Sequence, residues 1–87
     1  MAGAQKNAHR SPHYGELQNV VDALFEHEKT VRRLDVVIAA ENADLPEDLL
    51  EIVNLLPPGN YTRMRLCDQL NSSIAGHAWG LVYGTVV

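Results

Sequence analysis

The most informative part of the sequence is residues 56–80, LPPGNYTRMRLCDQLNSSIAGHAWG. The run at 57–59 ends the apolar helix predicted over residues 46–56, because proline lacks a backbone N–H donor and glycine favours non-helical conformations. Thr62 is a good N-cap, so a further helix is predicted over residues 63–70. Its inner face consists of Met64, Leu66, Cys67 and Leu70.

The residues that follow predict a turn and a second helix. Asn71 tolerates the left-handed backbone conformation that ends many helices. Ser72 or Ser73 then caps a helix predicted over residues 74–82. Residues 62–80 therefore have the outline of a helix-turn-helix.

Upstream of this unit, apolar residues recur with a spacing of seven. They are Leu17, Leu24, Val31 and Ile38. This pattern favours one long helix over residues 15–42, which pairs with a second chain through residues 17–38 to form a homodimer. The alternative is two helices that turn near residues 28–30, with Thr30 as the N-cap of the second.

The predicted fold class is mainly α, with a long N-terminal helix or helical hairpin followed by a helix-turn-helix (winged-helix-like) unit. Residues 81–87, LVYGTVV, are rich in strand formers and predict a short C-terminal strand or the start of a wing hairpin. Residues 1–13 lack apolar periodicity and are interpreted as a flexible tail. Residues 14–87 then form one helical domain, with an N-terminal helical segment at 14–43 and the helix-turn-helix unit at 46–87.

The stretch over residues 46–81 resembles the DNA-binding half of the alkylguanine-DNA alkyltransferases and the related alkyltransferase-like proteins. The residues that carry the resemblance are Leu56-Pro57-Pro58-Gly59, Thr62, Leu66-Cys67, Leu70-Asn71 and His77-Ala78-Trp79-Gly80. Those families have, at the same spacing, Ile-Pro-x-Gly, a Thr, an apolar-Ala pair, a Leu-Gly turn and Ala-Arg-Ala-Val-Gly. The resemblance covers about two-fifths of the chain and implies a helix-turn-helix that binds DNA.

The chain departs from this family in the segment that carries its chemistry. The family's alkyl acceptor is a Cys in a Pro-Cys-His-Arg segment, and nothing after Gly80 resembles it. Cys67 falls at a small core position instead, so we expect a buried structural thiol and no alkyl transfer. His77 stands where the family inserts an Arg into the base stack, and Arg63 where it has a nucleotide-rotating Tyr, so base flipping is not expected. Trp79 is expected to pack in the core.

Composition narrows the class of protein. The 87 residues carry a formal net charge of −4 and are 46% hydrophobic, which indicates one small folded domain. The single Cys67 excludes an internal disulfide and a multi-Cys zinc site. No apolar run approaches the roughly 18–20 residues that cross a membrane. Because no secretory signal is visible, a cytoplasmic protein is expected.

No catalytic constellation stands out. The sequence contains no Gly-rich phosphate loop, no nucleophile elbow, and no His or Cys spacing typical of metal ligands. We therefore expect no enzymatic activity, no metal and no cofactor.

The predicted function is that of a small non-enzymatic DNA-binding regulator. Arg63 and Arg65 position the phosphates of double-stranded DNA, and Ser72, Ser73 and His77 lie nearest the groove. The alternative is a protein–protein interaction module, an inhibitor or adaptor that reuses a winged-helix-like shape. The ten acids and three bases of residues 14–57 favour that alternative, because small DNA readers are usually basic.

Overall fold

The computed structural model describes residues 11–77 and 80–87 and is mainly helical, with a small two-stranded antiparallel sheet. The predicted α class is thus confirmed. The elements in chain order are α1 (Glu16–Leu24), β1 (Thr30–Arg32), α2 (Arg33–Asn42), α3 (Glu47–Asn54), β2 (Asn60–Thr62), α4 (Arg63–Gly76) and α5 (Gly80–Tyr83). The predicted packing of Trp79 and most of the predicted tail lie outside the described residues. Residues 11–13 of that tail are described, and the N–H of Ser11 donates to the carbonyl oxygen of Val82 at 3.0 Å.

The long N-terminal helix predicted over residues 15–42 is wrong. Helix α1 ends at Leu24, and the chain then forms β1 before α2 begins. The break falls where the two-helix alternative placed it, but Thr30 belongs to the strand and Arg32 is the N-cap of α2. Residues 26–30 are all exposed and polar, so a continuous helix has no apolar face to bury there.

The homodimer predicted through residues 17–38 requires one continuous apolar helix face, and these residues do not form it. Leu17, Val20 and Val21 lie in the core of the same chain, where each is at most 5% exposed. Ile38, by contrast, is 47% exposed. The first part of the apolar stripe therefore packs on the rest of its own chain.

Helix α4 runs straight through the turn predicted at residues 71–73. The predicted boundary between two helices is wrong, no new helix begins at Ile74, and a winged-helix-like unit is not confirmed. The reason is a buried face that continues at three- and four-residue spacing past the serines. Its members are Leu66, Cys67, Leu70 and Ile74. The predicted cap is present, because Oγ1 of Thr62 accepts a hydrogen bond from the backbone N–H of Arg65 at 3.3 Å.

The strand predicted for the C-terminal residues is also wrong. The residues after α5 have no regular secondary structure. The backbone of Val86 and Val87 instead pairs with two side-chain amides, which donate and accept hydrogen bonds as the backbone of a neighbouring strand would. The Asn71 amide accepts from the N–H of Val86 and donates to its carbonyl oxygen, both at 2.8 Å. The Gln18 amide does the same for Val87 at 2.8 and 2.9 Å.

Strands β1 and β2 join the two halves of the chain. Their antiparallel register pairs Thr30 with Thr62, Val31 with Tyr61, and Arg32 with Asn60. The side chains of Val31 and Tyr61 are buried in the core, whereas the other four residues are exposed. Each strand leads directly into a helix, so the pairing of the strands also places the starts of α2 and α4.

The fold repeats one α–β–α unit. The segment from β1 through α2 matches the segment from β2 through α4 at an offset of 30 residues, and each of these helices begins with an arginine, Arg33 or Arg63. Equivalent positions have similar burial. Both residues are buried in the pairs Val31 and Tyr61, Val36 and Leu66, and Ala40 and Leu70, and both are exposed in the pair Leu34 and Met64. Helices α1 and α3 match at an offset of 32, which makes Leu17, Val20 and Val21 equivalent to Leu49, Ile52 and Val53. Because Val31 pairs with its own equivalent Tyr61, an approximate local two-fold axis passes between them.

The position of the core predicts unequal costs for two truncations on α4. Leu66 is 0% exposed, so Leu66→Ala should lower the free energy of unfolding by about 2–5 kcal/mol, through lost burial and a residual cavity. Met64 is 76% exposed, and Met64→Ala should change the free energy of unfolding by less than about 0.5 kcal/mol. Urea unfolding followed by circular dichroism measures both values. Equal losses would contradict the core described above.

Candidate functional site

The structure does not bring the five predicted DNA-contacting residues onto one surface. At about 100° per residue, Arg63 and Arg65 point about 160° apart around α4. Arg65 and Ser72 are exposed and share one side of the helix, whereas Ser73 is half-buried. His77 is the C-cap of α4, and its exposed ring is held by a 2.8 Å hydrogen bond from Nδ1 to the carbonyl oxygen of Ser73.

The Arg63 guanidinium ties three parts of the chain together. Its Nη2 donates to Oδ1 of Asp22 on α1. Its Nε and Nη2 also donate to the carbonyl oxygen of Val87, at 3.2 and 2.9 Å. Hydrogen bonds from Gln18, and then from Arg63, hold the pKa of Asp22 below its ordinary value. The described contacts of Arg63 are therefore those of a structural residue.

Arg33 plays the equivalent part in the other unit. Its Nε donates to the carbonyl oxygen of Leu56 at 2.7 Å, and its Nη2 donates to that of Asn54 at 2.8 Å. Asn54 is the repeat equivalent of Asp22, so each arginine reaches from the start of one helix to the end of the first helix of the opposite unit. The acceptors of Arg33 are neutral carbonyls, which leaves its positive charge uncompensated by these two bonds.

The exposed face of β1 and β2, which we call the ribbon face, is formed by Thr30, Arg32, Asn60 and Thr62. All Lys and Arg residues of the described part of the chain lie in residues 29–33 and 63–65, beside or within these strands. The register brings the two runs together, and Lys29 falls one position beyond the pair of Thr30 with Thr62. Lys29 and Arg65 are both exposed.

Asp35 binds Arg32, the arginine of the ribbon face. Its Oδ2 accepts from the backbone N–H of Arg32 at 2.9 Å, and its Oδ1 accepts from Nη2 of Arg32 at 3.3 Å. The backbone bond, and then the side-chain bonds, hold the pKa of Asp35 below its ordinary value. The Arg32 side chain is still 68% exposed, so it is accessible to a ligand.

Acidic residues dominate the segment between the two basic runs. Residues 34–62 contain six acids and no Lys or Arg. The cations of the described chain are therefore gathered around the ribbon face and the acids are spread more widely, although Asp35 and Asp22 bind two of the arginines, Arg32 and Arg63. Such an arrangement attracts an anionic ligand to one side while the net charge stays negative.

Other kinds of site receive no support from the described residues. Residues 11–77 and 80–87 include no group of three His, Cys, Asp or Glu side chains that could hold a metal ion. The expected burial of Cys67 is confirmed at 6% exposure, and burial raises the pKa of its thiol. Within the same ranges, no helix is long and apolar enough to cross a membrane.

No protein-family model, curated protein or solved structure matches this chain. The resemblance to the alkyltransferases therefore stays a prediction.

The sequence-based reasoning missed the ribbon face. Both of its halves are visible in the sequence as TVRR at residues 30–33 and NYTR at residues 60–63, each directly before a helix. At an offset of 30 residues only Arg33 and Arg63 are identical, so the repeat gives a weak signal in the sequence and is recognised from the structure.

Acid titration tests the tie between Arg63 and Asp22. A carboxyl whose pKa is lowered in the folded state stabilises the fold above its unfolded pKa, near 3.8, and loses that contribution as the pH falls through the lowered folded value. Asp22→Asn should therefore be less stable than the native protein at neutral pH, and the difference should shrink below pH 3.8. Urea midpoints across this range measure it. Asp68→Asn, at an exposed position of α4, is the control, and a difference for Asp22→Asn that does not vary with pH would contradict this role.

Proposed function

We propose that this protein is a small non-enzymatic regulator that binds double-stranded DNA through the ribbon face. One observation carries the proposal: antiparallel pairing of β1 and β2 places every Lys and Arg of the described chain within these two strands or close to them in the chain. A cluster of cations beside polar side chains suits a ligand with a charged backbone and hydrogen-bonding edges.

The dimensions of the ribbon face suit the major groove. That groove is about 12 Å wide in B-DNA and admits a two-stranded ribbon as well as a helix. Three residues per strand at about 3.4 Å each give a ribbon about 10 Å long, which is enough for a few base pairs. The proposal therefore keeps the predicted ligand but moves its site from the start of a recognition helix to the sheet.

Different residues of the proposed site contact different parts of the DNA. Arg32 and Asn60 lie opposite each other, and arginine and asparagine make two-point hydrogen bonds to guanine and adenine edges respectively. Lys29 and the predicted contact Arg65 lie at the border, where they meet phosphates. Arg63, which directly follows β2, links this end of the ribbon to α1 through Asp22.

The negative net charge limits affinity without excluding binding. The acids of residues 34–62 repel phosphates, so only an approach with the ribbon face forward is favourable. We expect weak binding that depends strongly on salt, because phosphate contacts release counterions.

A fluorescence anisotropy titration with a labelled DNA duplex tests this function. Arg32→Ala and Asn60→Ala should each weaken binding about 5- to 150-fold, since a good base contact contributes about 1–3 kcal/mol. Asp35→Asn should strengthen it, because the carboxylate that competes for Arg32 is removed. The matched control is Ser72→Ala with His77→Ala, which changes predicted contacts outside the ribbon face and should leave the affinity unchanged.

Three results would contradict the proposal. The first is no binding of the native protein at about 50 mM salt, where phosphate contacts are strong. The second is equal binding of single-stranded DNA or of an RNA duplex, because neither presents a wide major groove. The third is a loss confined to the Ser72 and His77 variant, which would return the site to α4.

A further inference from the structure

The ribbon face has two-fold symmetry in its backbone but not in its side chains. The approximate local two-fold axis relates Thr30 to Asn60, because these residues are repeat equivalents. It relates Arg32 to Thr62 in the same way. The two residues of each pair differ in chemistry, so the register puts arginine opposite asparagine at one end of the ribbon and threonine opposite threonine at the other.

The end with Arg32 and Asn60 carries the groups that distinguish base pairs. Asp35 accepts from Nε and Nη2 of Arg32 at 3.5 and 3.3 Å, which leaves the edge formed by Nη1 and Nη2 outside these bonds. That edge has two parallel N–H donors, which match O6 and N7 of guanine. The exposed Asn60 has an amide that matches N6 and N7 of adenine.

The spacing of these two side chains matches one step of the duplex. Directly opposed residues of an antiparallel pair have Cα atoms about 4.5–5.5 Å apart, and successive base pairs are about 3.4 Å apart. Residues two positions apart on one strand are separated by about 6.8 Å, or two base steps. Arg32 and Asn60 are therefore placed to contact neighbouring base pairs, with the threonines one or two pairs further along.

The end with Thr30 and Thr62 is suited to phosphates. Oγ1 of Thr62 accepts from the backbone N–H of Arg65, so this hydroxyl already binds within the protein. A threonine hydroxyl also hydrogen-bonds to any base, so it discriminates less than an amide or a guanidinium. The exposed Lys29 lies one position beyond this pair, and the exposed Arg65 lies in the first turn of α4 after it. Both are cations that bind phosphates.

We propose that one copy of this protein recognises a non-palindromic DNA site that contains a G·C pair next to an A·T pair. Arg32 contacts the guanine, Asn60 contacts the adenine, and the end with Thr30 and Thr62 lies toward the phosphates. This inference rests on the proposed function and adds the sequence that the duplex must contain. Two copies related by a two-fold axis would instead require an inverted repeat.

Selection from a library of DNA duplexes with a randomised centre tests this preference. Sequencing of the duplexes that the native protein retains should show a step of adjacent G·C and A·T pairs enriched about 5- to 150-fold over other steps, without an inverted repeat. Retention without such enrichment, or with an inverted repeat, would overturn the inference and leave the proposed function standing. Retention of no duplex at about 50 mM salt would overturn both.

Two substitutions assign the two bases. Asn60→Arg should replace the A·T pair of the selected step by a second G·C pair, and Arg32→Asn should replace the G·C pair by A·T. Ala75→Arg, at an exposed position of α4, adds the same charge as Asn60→Arg and should leave the preferred step unchanged.

Both substituted ribbon residues are exposed, and circular dichroism confirms that each variant is folded. If folded Asn60→Arg and Arg32→Asn proteins still select the native step, these residues do not contact the bases and the inference is overturned. It is also overturned if Ala75→Arg changes the preferred step as Asn60→Arg does, because charge alone would then set the preference.

Discussion

The pairing of β1 with β2 is the contact on which the rest of the structure depends. A two-stranded ribbon of three residues is marginal by itself, so its stability comes from burying Val31 and Tyr61 against the helices. The Tyr61 hydroxyl adds a hydrogen bond to the carbonyl oxygen of Pro57. A shift of register by one residue would place Val31 and Tyr61 on opposite faces of the ribbon and so turn one of them to solvent. It would also displace Arg33 and Arg63, which begin the following helices and hold the opposite unit.

Sequence patterns predict the parts of this fold that depend on local chemistry. The end of α3 before Pro57, the cap at Thr62 and the burial of Cys67 follow from backbone and side-chain preferences of single residues. The strands do not, because three residues are too few for an alternating pattern to be recognised. The seven-residue spacing from Leu17 to Ile38 arises instead from two separate helices and a strand that share one core.

The turn predicted at Asn71 fails for a long-range reason. The amide of Asn71 binds the backbone of Val86, a contact between positions 15 residues apart, and so Asn71 contributes to tertiary structure inside α4. Arg63 was predicted to contact DNA because of its charge, but its partners Asp22 and Val87 come from distant parts of the chain. Of the predicted DNA contacts, only Arg65 also belongs to the proposed site, at its border. That prediction required only an exposed position and a positive charge.

The hydrogen bonds between the two ends of the described chain bear on how this protein folds during synthesis. The sheet contains two strands, so β1 has no partner until β2, about 30 residues later, has left the ribosome. One contact of α1 forms later still, because Gln18 binds Val87, which lies 69 positions away. Contacts between such distant residues must pay for closing a long loop before they stabilise anything. The hydrogen bonds of Gln18 and Arg63 with Val87 therefore form only after residue 87 has been made, and they close a structure whose helices and strands all precede it in the chain.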